Sequence, residues 1–419
     1  QEISPDVVAI TSFTVGLVDV VMTADIARSV VPHAHICLGG HHPIAYPREA
    51  AELKGFDSIV VGEGEIAFTD LVECLAKGED FTAIQGVYTR ESIKAALDNP
   101  IRDKRFLARI TVPSGYVEDI DALPMVNRKY LRHLRYQNIL GVTDDLATIL
   151  SSRGCPYLCT FCDVPIKSYR ERSAKSVVDE IEACLEMGYK EFRFYDDLFN
   201  ITADKVIKLC DELDARGLKI DWDFRGRVNT ITREMLVRAK NSGLRMIAFG
   251  VETGSDEGLK ALKKGTNTAK VNRAFELCRE LGIITVADYI IGHPFERTIF
   301  DVDKSLKFLV DLDPDYAQIS ILKLYPNTQI YAEAVAKGVI EPGRWEAFSK
   351  NPTADFVVDH WDEHLDLATL TRLQKRAYRK FYFRPKYVMR SVFQTRSWVE
   401  FKSKVYGALK LVQTNKRSA

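Results

Sequence analysis

The sequence predicts an α/β protein: an N-terminal Rossmann-like parallel sheet, then a six-stranded partial (β/α) barrel, then a helical C-terminal region. Two observations support this fold class. Short apolar strands alternate with helices in two separate stretches, as parallel sheets require. The polar and glycine-rich turns of both stretches directly follow strands, at the edge where such sheets bind ligands. The predicted segments are 1–82, a connecting region 83–145, the barrel 146–345 and the C-terminal region 346–419.

The first stretch reads as strands at 6–11, 35–38 and 58–61, with helices at 16–31 and up to about residue 76. Because this sheet starts close to Gln1, we expect its first strand and helix to lie before that residue. The turns that follow the strands contain Thr11, Ser12, Gly39, Gly40, His41, Gly62, Glu63 and Gly64. Glycine pairs are weak evidence by themselves, since glycines also simply make turns.

The connecting region is the least regular part of the chain. Its apolar runs predict edge strands at 87–90 and 109–112, and its polar stretch around Pro124 predicts a link between domains.

The barrel stretch repeats strand and helix six times, with strands predicted at 147–150, 191–195, 219–224, 244–249, 283–290 and 316–322. Polar residues or turns follow these strands, and the candidate ligand contacts among them are Asp196, Asp197, Arg225, Arg227, Glu252, Ile291, Gly292 and His293. A single one could equally be a turn or capping residue. Their joint placement after strands predicts an active face.

Three cysteines, Cys155, Cys159 and Cys162, follow the first barrel strand in the spacing CxxxCxxC. Thiolates on one short loop can converge on a soft metal centre. Zinc would need a fourth ligand, and the nearest histidines in sequence are His133 and His293. Three cysteines on a cubic [4Fe-4S] cluster leave one iron open, so we predict such a cluster. The other five cysteines lie on apolar faces and are predicted to be inert core residues.

The cysteine spacing, with Phe161 just before the third cysteine, resembles the radical S-adenosylmethionine (SAM) enzymes. The resemblance implies that SAM binds the open iron and is cleaved to a 5'-deoxyadenosyl radical, with electrons from a donor such as flavodoxin or ferredoxin. By the same resemblance, Asp196 and Asp197 contact the SAM amino end and Arg225 or Arg227 its carboxylate. Glu252 contacts a ribose hydroxyl or the methionine amine, and the segment Ile291, Gly292 and His293 contacts adenine.

The N-terminal half resembles the cobalamin-binding domain that precedes the radical domain in one subgroup of this family. Ser12 lies near the subgroup's conserved serine position, and Gly39 and Gly40 occupy its Gly-Gly position, where the corrin tail approaches the backbone. The segment that supplies an axial histidine in some cobalamin proteins is absent, and we expect its place to lie before Gln1. An ordinary Rossmann-like domain is the alternative.

The whole chain resembles the group that contains the anaerobic magnesium-protoporphyrin monomethyl ester cyclase, hopanoid-lipid radical enzymes and carbon or phosphorus methylases. The resemblance implies cobalamin-dependent methylation of an unactivated carbon. Radical oxidation or cyclisation without methyl transfer is one alternative. A non-catalytic iron–sulfur redox protein is another.

Composition and charge bear on where the protein is located and on what it binds. The chain has 419 residues and no net formal charge, with no apolar run that could span a bilayer and no signal-peptide pattern. Reduced cysteines predict the cytoplasm. From Thr371 onward, fourteen Lys and Arg stand against Glu400 alone, interleaved with aromatic residues. This tail predicts a small-molecule or lipid-like apolar substrate and contact with the inner membrane surface; nucleic acid is disfavoured, because the further cluster cysteines of methylthiotransferases are missing.

Overall fold

The structure is a computed structural model that describes residues 3–106, 112–134, 136, 140–141, 143, 145–393 and 402. The chain forms two compact units. The first unit comprises Gln1–Leu123, Phe161–Arg170 and Leu324–Asp359, and the second comprises Pro124–Thr160, Glu171–Lys323 and His360–Ala419. The four-segment division stays a prediction. The strand predicted at 109–112 falls almost wholly outside the described residues.

The strands in chain order are β1 (Val7–Thr11), β2 (His35–Gly39), β3 (Ser58–Val60), β4 (Val87–Tyr88), β5 (Leu146–Ile149), β6 (Ser152–Arg153), β7 (Arg170–Glu171), β8 (Glu191–Phe194), β9 (Asp221–Gly226), β10 (Leu244–Glu252), β11 (Ile284–Ile291) and β12 (Tyr316–Ile321). The α-helices are α1 (Leu17–Val30), α2 (His41–Ala45), α3 (Pro47–Glu52), α4 (Glu65–Lys77), α5 (Arg90–Asp98), α6 (Ala174–Glu186), α7 (Ala203–Ala215), α8 (Arg233–Asn241), α9 (Asp256–Ala261), α10 (Thr268–Glu280), α11 (Ile299–Leu312), α12 (Gln329–Ala336), α13 (Arg344–Lys350), α14 (Leu367–Tyr382) and α15 (Pro385–Phe393).

The first unit contains a four-stranded sheet in the order β1-β2-β3-β4. The first three strands are parallel, as the sequence predicts. The fourth, at the edge strand predicted over 87–90 in the connecting region, runs antiparallel to β3, with Val60 opposite Val87. The reason is local: the chain after α4 returns to the carboxyl end of β3, where Val61 N–H bonds Gly86 O, before β4 begins.

The second unit contains the predicted six-stranded sheet, parallel throughout, in the order β12-β11-β10-β9-β8-β5. Strands β9 and β10 depart most from the predicted bounds, and the other four strands match them to within a residue at each end. Strand β9 extends over Asp221–Gly226 and β10 extends to Glu252, so Arg225 and Glu252 lie within strands and not in the turns after them. The charged residues of β9 alternate with Trp222 and Phe224, a period of two that a search for apolar runs does not detect.

The two faces of this sheet differ in polarity. One face, with Phe192, Trp222 and Phe249, packs into the main hydrophobic core. We call the opposite face the inner face. It carries buried ion pairs between strands: Arg193 of β8 with Asp223 of the neighbouring β9 at 2.6 Å, and Arg245 of β10 with Glu191 of β8 at 2.6 Å. The inner face therefore combines charge and burial, which proteins tolerate only when the charges are paired.

Helix α14 closes the open edge of this sheet at β12. The Tyr382 hydroxyl accepts from Ala317 N and donates to Ala317 O, and the Tyr378 hydroxyl makes the same two bonds with Ile319. Phe381 is fully buried beneath them. These aromatic side chains of the basic tail therefore pack inside the protein. Among the described residues, no helix is long and apolar enough to cross a membrane.

Candidate active site

The cysteine loop follows β5 and β6. Cys155 is buried and Cys159 and Cys162 are half-buried; none of the three is in a disulfide. Phe161, next to Cys162, is also half-buried. In the part of the chain that the structure describes, no three His, Cys, Asp or Glu side chains converge as a metal site would require. The donor set itself suits a cluster, because three cysteine thiols on an eight-residue stretch are the ligands that iron–sulfur centres use.

Asp196, after β8, anchors the start of the cysteine loop. It is buried and accepts hydrogen bonds from Ser151 N, at 3.2 Å, and from the Ser151 hydroxyl, at 2.8 Å, and also from the Ser152 hydroxyl. The exposed Asp197 accepts from Gly154 N at 3.1 Å. Both carboxylates thus bind the protein's own loop. The geometry gives them a positioning role, and their contact with SAM remains a prediction.

Arg227 contacts one of the three thiols. Its Nη1 donates to Cys159 Sγ at 3.5 Å, and its guanidinium stacks on the Tyr157 ring at 3.8 Å. The side chain is buried, and its Nε and Nη2 have no hydrogen-bond partner among the described residues. Buried donors without partners are costly unless a ligand satisfies them. Of the two predicted arginines, Arg227 is therefore the one placed beside the cysteine loop, and its contact with the SAM carboxylate remains a prediction.

Glu252 ends β10 in a left-handed conformation, with φ +66°. Its Oε1 accepts from Lys264 Nζ at 2.6 Å, and both side chains are buried. Gly250 makes space for this pair, because a Cβ there would lie 2.4 Å from Glu252 Oε1. Strain at a buried ionic residue is typical of functional sites. Lys264 was not predicted, and nothing in its sequence context marks it.

The turn after β11 is held by hydrogen bonds to a buried carboxylate. Gly292, with φ +82°, and His293 both donate their backbone N–H to Glu296 Oε2, at 2.7 and 3.1 Å. Burial raises the pKa of Glu296 to about 7, opposed by these two hydrogen bonds. Burial lowers the pKa of His293 to about 4, so its ring is neutral. The Ile291 side chain lies in the hydrophobic core, which leaves the backbone of the turn as the candidate adenine contact.

Arg225 lies apart from these groups. It pairs with Asp288 of β11 at 3.0 Å, and half of its side chain is exposed. Asp288 was not predicted, although it is the one charged residue in the apolar strand Ile284–Ile291. Asn200 was also missed. It is fully buried and bonds the backbone N–H and C=O of Arg227, which fixes the turn that carries this arginine.

In the first unit, the predicted turns after β1 and β2 meet. Ser12 N donates to Gly39 O at 3.0 Å, and Ser12 O accepts from His42 N. Gly40 has φ +90°, and a Cβ there would lie 2.4 Å from Thr11 Oγ1. A Cβ on Gly39 would meet no atom within 4 Å. Gly40 is thus required by the fold, whereas Gly39 leaves an open cradle at the carboxyl edge of the sheet.

His41 follows this glycine pair. Its ring stacks on Phe13 at 5.4 Å, and its Nε2 lies 3.2 Å from Asp163 O. Phe13 itself is 68% exposed, although large apolar side chains are usually buried. The open glycine and the exposed ring give this edge the shape and chemistry of a ligand surface.

The third predicted turn has a different role. Glu63 is buried and forms a bidentate ion pair with Arg170, with N–O distances of 2.7 and 2.9 Å. It also accepts a hydrogen bond from Val117 N at 2.7 Å. A Cβ on Gly62 would lie 2.3 Å from Gly115 O. Gly64 precedes α4. This turn therefore holds the returning segment around Gly115, and its contact with cobalamin remains a prediction.

Comparison with known protein families identifies a domain in each of the two predicted α/β stretches. The model described as the radical SAM superfamily matches residues 149–309, and the B12 binding domain model matches residues 1–72. The chain is a radical SAM enzyme with a B12-binding domain. The cofactors of these two domains are a [4Fe-4S] cluster with SAM, and cobalamin.

Relatives of this radical SAM enzyme differ in their named reactions. It is 28% identical over 416 residues to the "uncharacterized methyltransferase PH0819" of Pyrococcus horikoshii, covering 98% of this chain and 86% of the relative. It is 31% identical to the anaerobic magnesium-protoporphyrin IX monomethyl ester cyclase of Cereibacter sphaeroides, covering 80% of this chain but only 54% of the cyclase.

Solved structures share the fold. OxsB, a cobalamin-dependent SAM radical enzyme with aqua-cobalamin and SAM bound, aligns with a TM-score of 0.68 at 18% identity, covering 97% of this chain and 63% of that one. The methyltransferase TsrM from Kitasatospora setae aligns with a TM-score of 0.65 at 21% identity, covering 82% and 69%.

Proposed function

We propose that this radical SAM enzyme transfers a methyl group from cobalamin to an unactivated carbon of a small-molecule substrate. The observation that carries the proposal is the open cradle at Gly39, next to a glycine that the backbone itself requires. A Rossmann-like domain without a ligand would not need both. The whole-length relative named as a methyltransferase supports the same class.

Named residues of the chain would hold the cluster and orient SAM. When bound, the cluster and SAM supply a carbon-centred radical, and cobalamin supplies a methyl group. Cys155, Cys159 and Cys162 would hold the cluster. The free nitrogens of Arg227 would orient the SAM carboxylate beside Cys159. The turn of Gly292 and His293 would keep water from the adenine side.

Oxidation or cyclisation without methyl transfer is the second candidate, favoured by the 31% identity to the protoporphyrin cyclase. The non-catalytic alternative is set aside, because the chain belongs to a family of enzymes. An apolar substrate loses its main support, since Tyr378, Phe381 and Tyr382 of the tail pack inside the protein. A flavodoxin or ferredoxin as electron donor, cytoplasmic placement and contact with the membrane surface all remain proposals.

The test uses anaerobically reconstituted protein, hydroxocobalamin, a strong reductant and SAM with an isotopically labelled methyl group. Cell extract supplies substrates. Labelled methyl in a new product, together with 5'-deoxyadenosine, supports methyl transfer. Deoxyadenosine and a changed substrate without label would support oxidation or cyclisation instead. A Cys159→Ala variant serves as the inactive control.

A further inference from the structure

Four polar side chains form a row across the inner face of the second sheet, near the carboxyl ends of the strands. Arg225 lies on β9, Asp288 on β11 and Gln318 on β12, and Tyr195 directly follows β8. Asp288 is opposite Gln318, and Phe194 is opposite Phe224, which places Tyr195 level with Arg225. Tyr195 and Gln318 are exposed. We call these four residues the polar row.

The centre of the polar row is an ion pair that spans a strand. Strand β10 lies between β9 and β11, so Arg225 and Asp288 meet over its residues. The β10 residues at this level are Ala248, opposite Arg225, and Gly250, opposite Asp288. Both are small, so neither side chain blocks the approach of Arg225 to Asp288. The space directly over Gly250 is taken by the Glu252–Lys264 pair, because a Cβ there would lie 2.4 Å from Glu252 Oε1 and 2.7 Å from Lys264 Nζ.

Arg225 keeps most of its hydrogen-bonding capacity. Its Nη1 donates to Asp288 Oδ2 at 3.0 Å, and the described residues give its side chain no second hydrogen bond. A guanidinium carries five N–H donors in a planar fork that matches carboxylate and phosphate groups. With half of the side chain exposed, one edge of this fork faces open space.

Asp288 positions the guanidinium of Arg225 but accepts only one of its hydrogen bonds. Its side chain is 21% exposed, and its Oδ1 has no hydrogen-bond partner among the described residues. Burial raises the pKa of Asp288 to about 6, and the Arg225 charge opposes this rise. At neutral pH the carboxylate is therefore still mostly ionised, so it keeps its ion pair with Arg225.

The polar row lies next to the candidate chemistry. Arg227, which contacts Cys159, follows Arg225 by two residues. Side chains two apart on a strand share a face and lie roughly 7 Å from each other. Arg225 is therefore two residues further from the carboxyl end of β9 than Arg227, which contacts the cysteine loop.

We propose that the polar row is the substrate-recognition site of this enzyme, and that the substrate carries an oxyanion, a carboxylate or phosphate, bound by the free edge of Arg225. The inference rests on the proposed radical function. Arg225 then determines specificity, and Asp288 is a positioning residue. This assignment replaces the predicted SAM contact of Arg225 and the predicted apolar substrate.

The test measures how substrate stimulates SAM cleavage. An extract of the source organism is separated into an anion-exchange-bound fraction, an unbound fraction and a solvent-soluble lipid fraction. Each is added to reconstituted full-length enzyme, and the rate of 5'-deoxyadenosine formation is divided by the rate without extract. We expect the anion-exchange-bound fraction alone to stimulate. Treating this fraction with phosphatase or, separately, with a carboxyl-amidating reagent identifies the oxyanion.

Arg225→Gln should reduce the stimulation roughly tenfold or more, and Arg225→Lys should restore part of it. The exposed Arg297→Gln is the matched charge control and should be stimulated like wild type. Iron content and circular dichroism confirm that each variant is folded. Stimulation by the unbound or lipid fraction only, by no fraction, or equally in Arg225→Gln would overturn the proposal. Absence of deoxyadenosine under every condition would instead refute the radical function, and this inference with it.

Discussion

The guanidinium of Arg227 lies 3.5 Å from the sulfur of Cys159, although 68 residues separate them in the chain. Asn200 fixes the turn that carries the arginine, through bonds to its backbone N–H and C=O. The contact therefore joins the cysteine loop to the end of β9 within the second unit. It also leaves two guanidinium nitrogens free beside the loop.

We predict that Arg227→Gln weakens SAM binding by roughly 10- to 100-fold, the usual cost of losing charge-assisted hydrogen bonds to a carboxylate. Arg227→Lys should recover part of the affinity, because it keeps the charge and loses the fork. Equilibrium binding of SAM to the reconstituted protein measures both. Equal affinity in Arg227→Gln and wild type would remove Arg227 from the SAM site.

Replacing any one of the three loop cysteines with alanine should abolish the cluster. Each thiolate supplies one of the protein's three iron ligands, and two are too few to retain it. Iron and sulfide content and visible absorption after anaerobic reconstitution provide the measurement. Cys74→Ala is the matched control, since Cys74 is also a half-buried free thiol but lies on α4. Full iron content in Cys159→Ala would contradict the assignment.

Gly39→Leu should prevent hydroxocobalamin uptake while iron content stays at the wild-type value. A Cβ at Gly39 meets no protein atom, so the leucine would be tolerated by the fold but would extend into the cradle. Bound cobalamin is quantified from its absorption spectrum. Ala95→Leu, at an exposed site on α5, adds similar bulk elsewhere in the first unit and should bind normally. Full cobalamin content in Gly39→Leu would place the corrin away from this turn.

Acid should destabilise the folded protein through His293. Burial lowers its pKa to about 4, below the ordinary value of 6.5. Between these values the unfolded chain binds a proton that the folded protein does not, so the free energy of unfolding decreases as pH falls. The full effect is about 3 kcal/mol by pH 4. The buried His42, whose pKa is lowered to about 3, acts in the same direction. Glu296 and Asp288, whose pKa values burial raises to about 7 and about 6, act in the opposite direction, because the folded protein binds their protons more readily than the unfolded chain.

The prediction therefore concerns the difference between His293→Gln and wild type. On going from pH 6.5 to 4.5, the melting temperature of the variant should fall less, or rise more, than that of wild type, because glutamine cannot titrate in this range and the proton-linked loss disappears. The exposed His33→Gln serves as the control. The same pH dependence in His293→Gln and wild type would show that the ring is not buried as the structure has it.

The sequence predicted most of the architecture because strand and helix signals are local. The order of all six barrel strands and the first three N-terminal strands followed from short apolar runs separated by helices. Strand β9 was misplaced at both ends, since its charged residues alternate with aromatic ones. Helix α5 was missed in the irregular connecting region.

The partners of the candidate site residues could not be predicted, because they are long-range. Nothing in the neighbouring sequence indicates that Lys264 forms an ion pair with Glu252, or that Arg170 forms one with Glu63. Both ion pairs depend on how distant segments pack. Asp288 is the exception: a lone carboxylate in an apolar strand is a local signal that a buried charge has a partner or a ligand.

The tyrosines of α14 have a consequence for how this enzyme associates with other molecules. An uncovered outer strand is a template on which other chains add by backbone pairing. Here the amide groups of Ala317 and Ile319 on β12 are already bonded by phenol hydroxyls. An electron donor or a second copy must therefore dock elsewhere than on the backbone of these two residues. Any shortened version that ends before Leu367 would expose this strand and should aggregate.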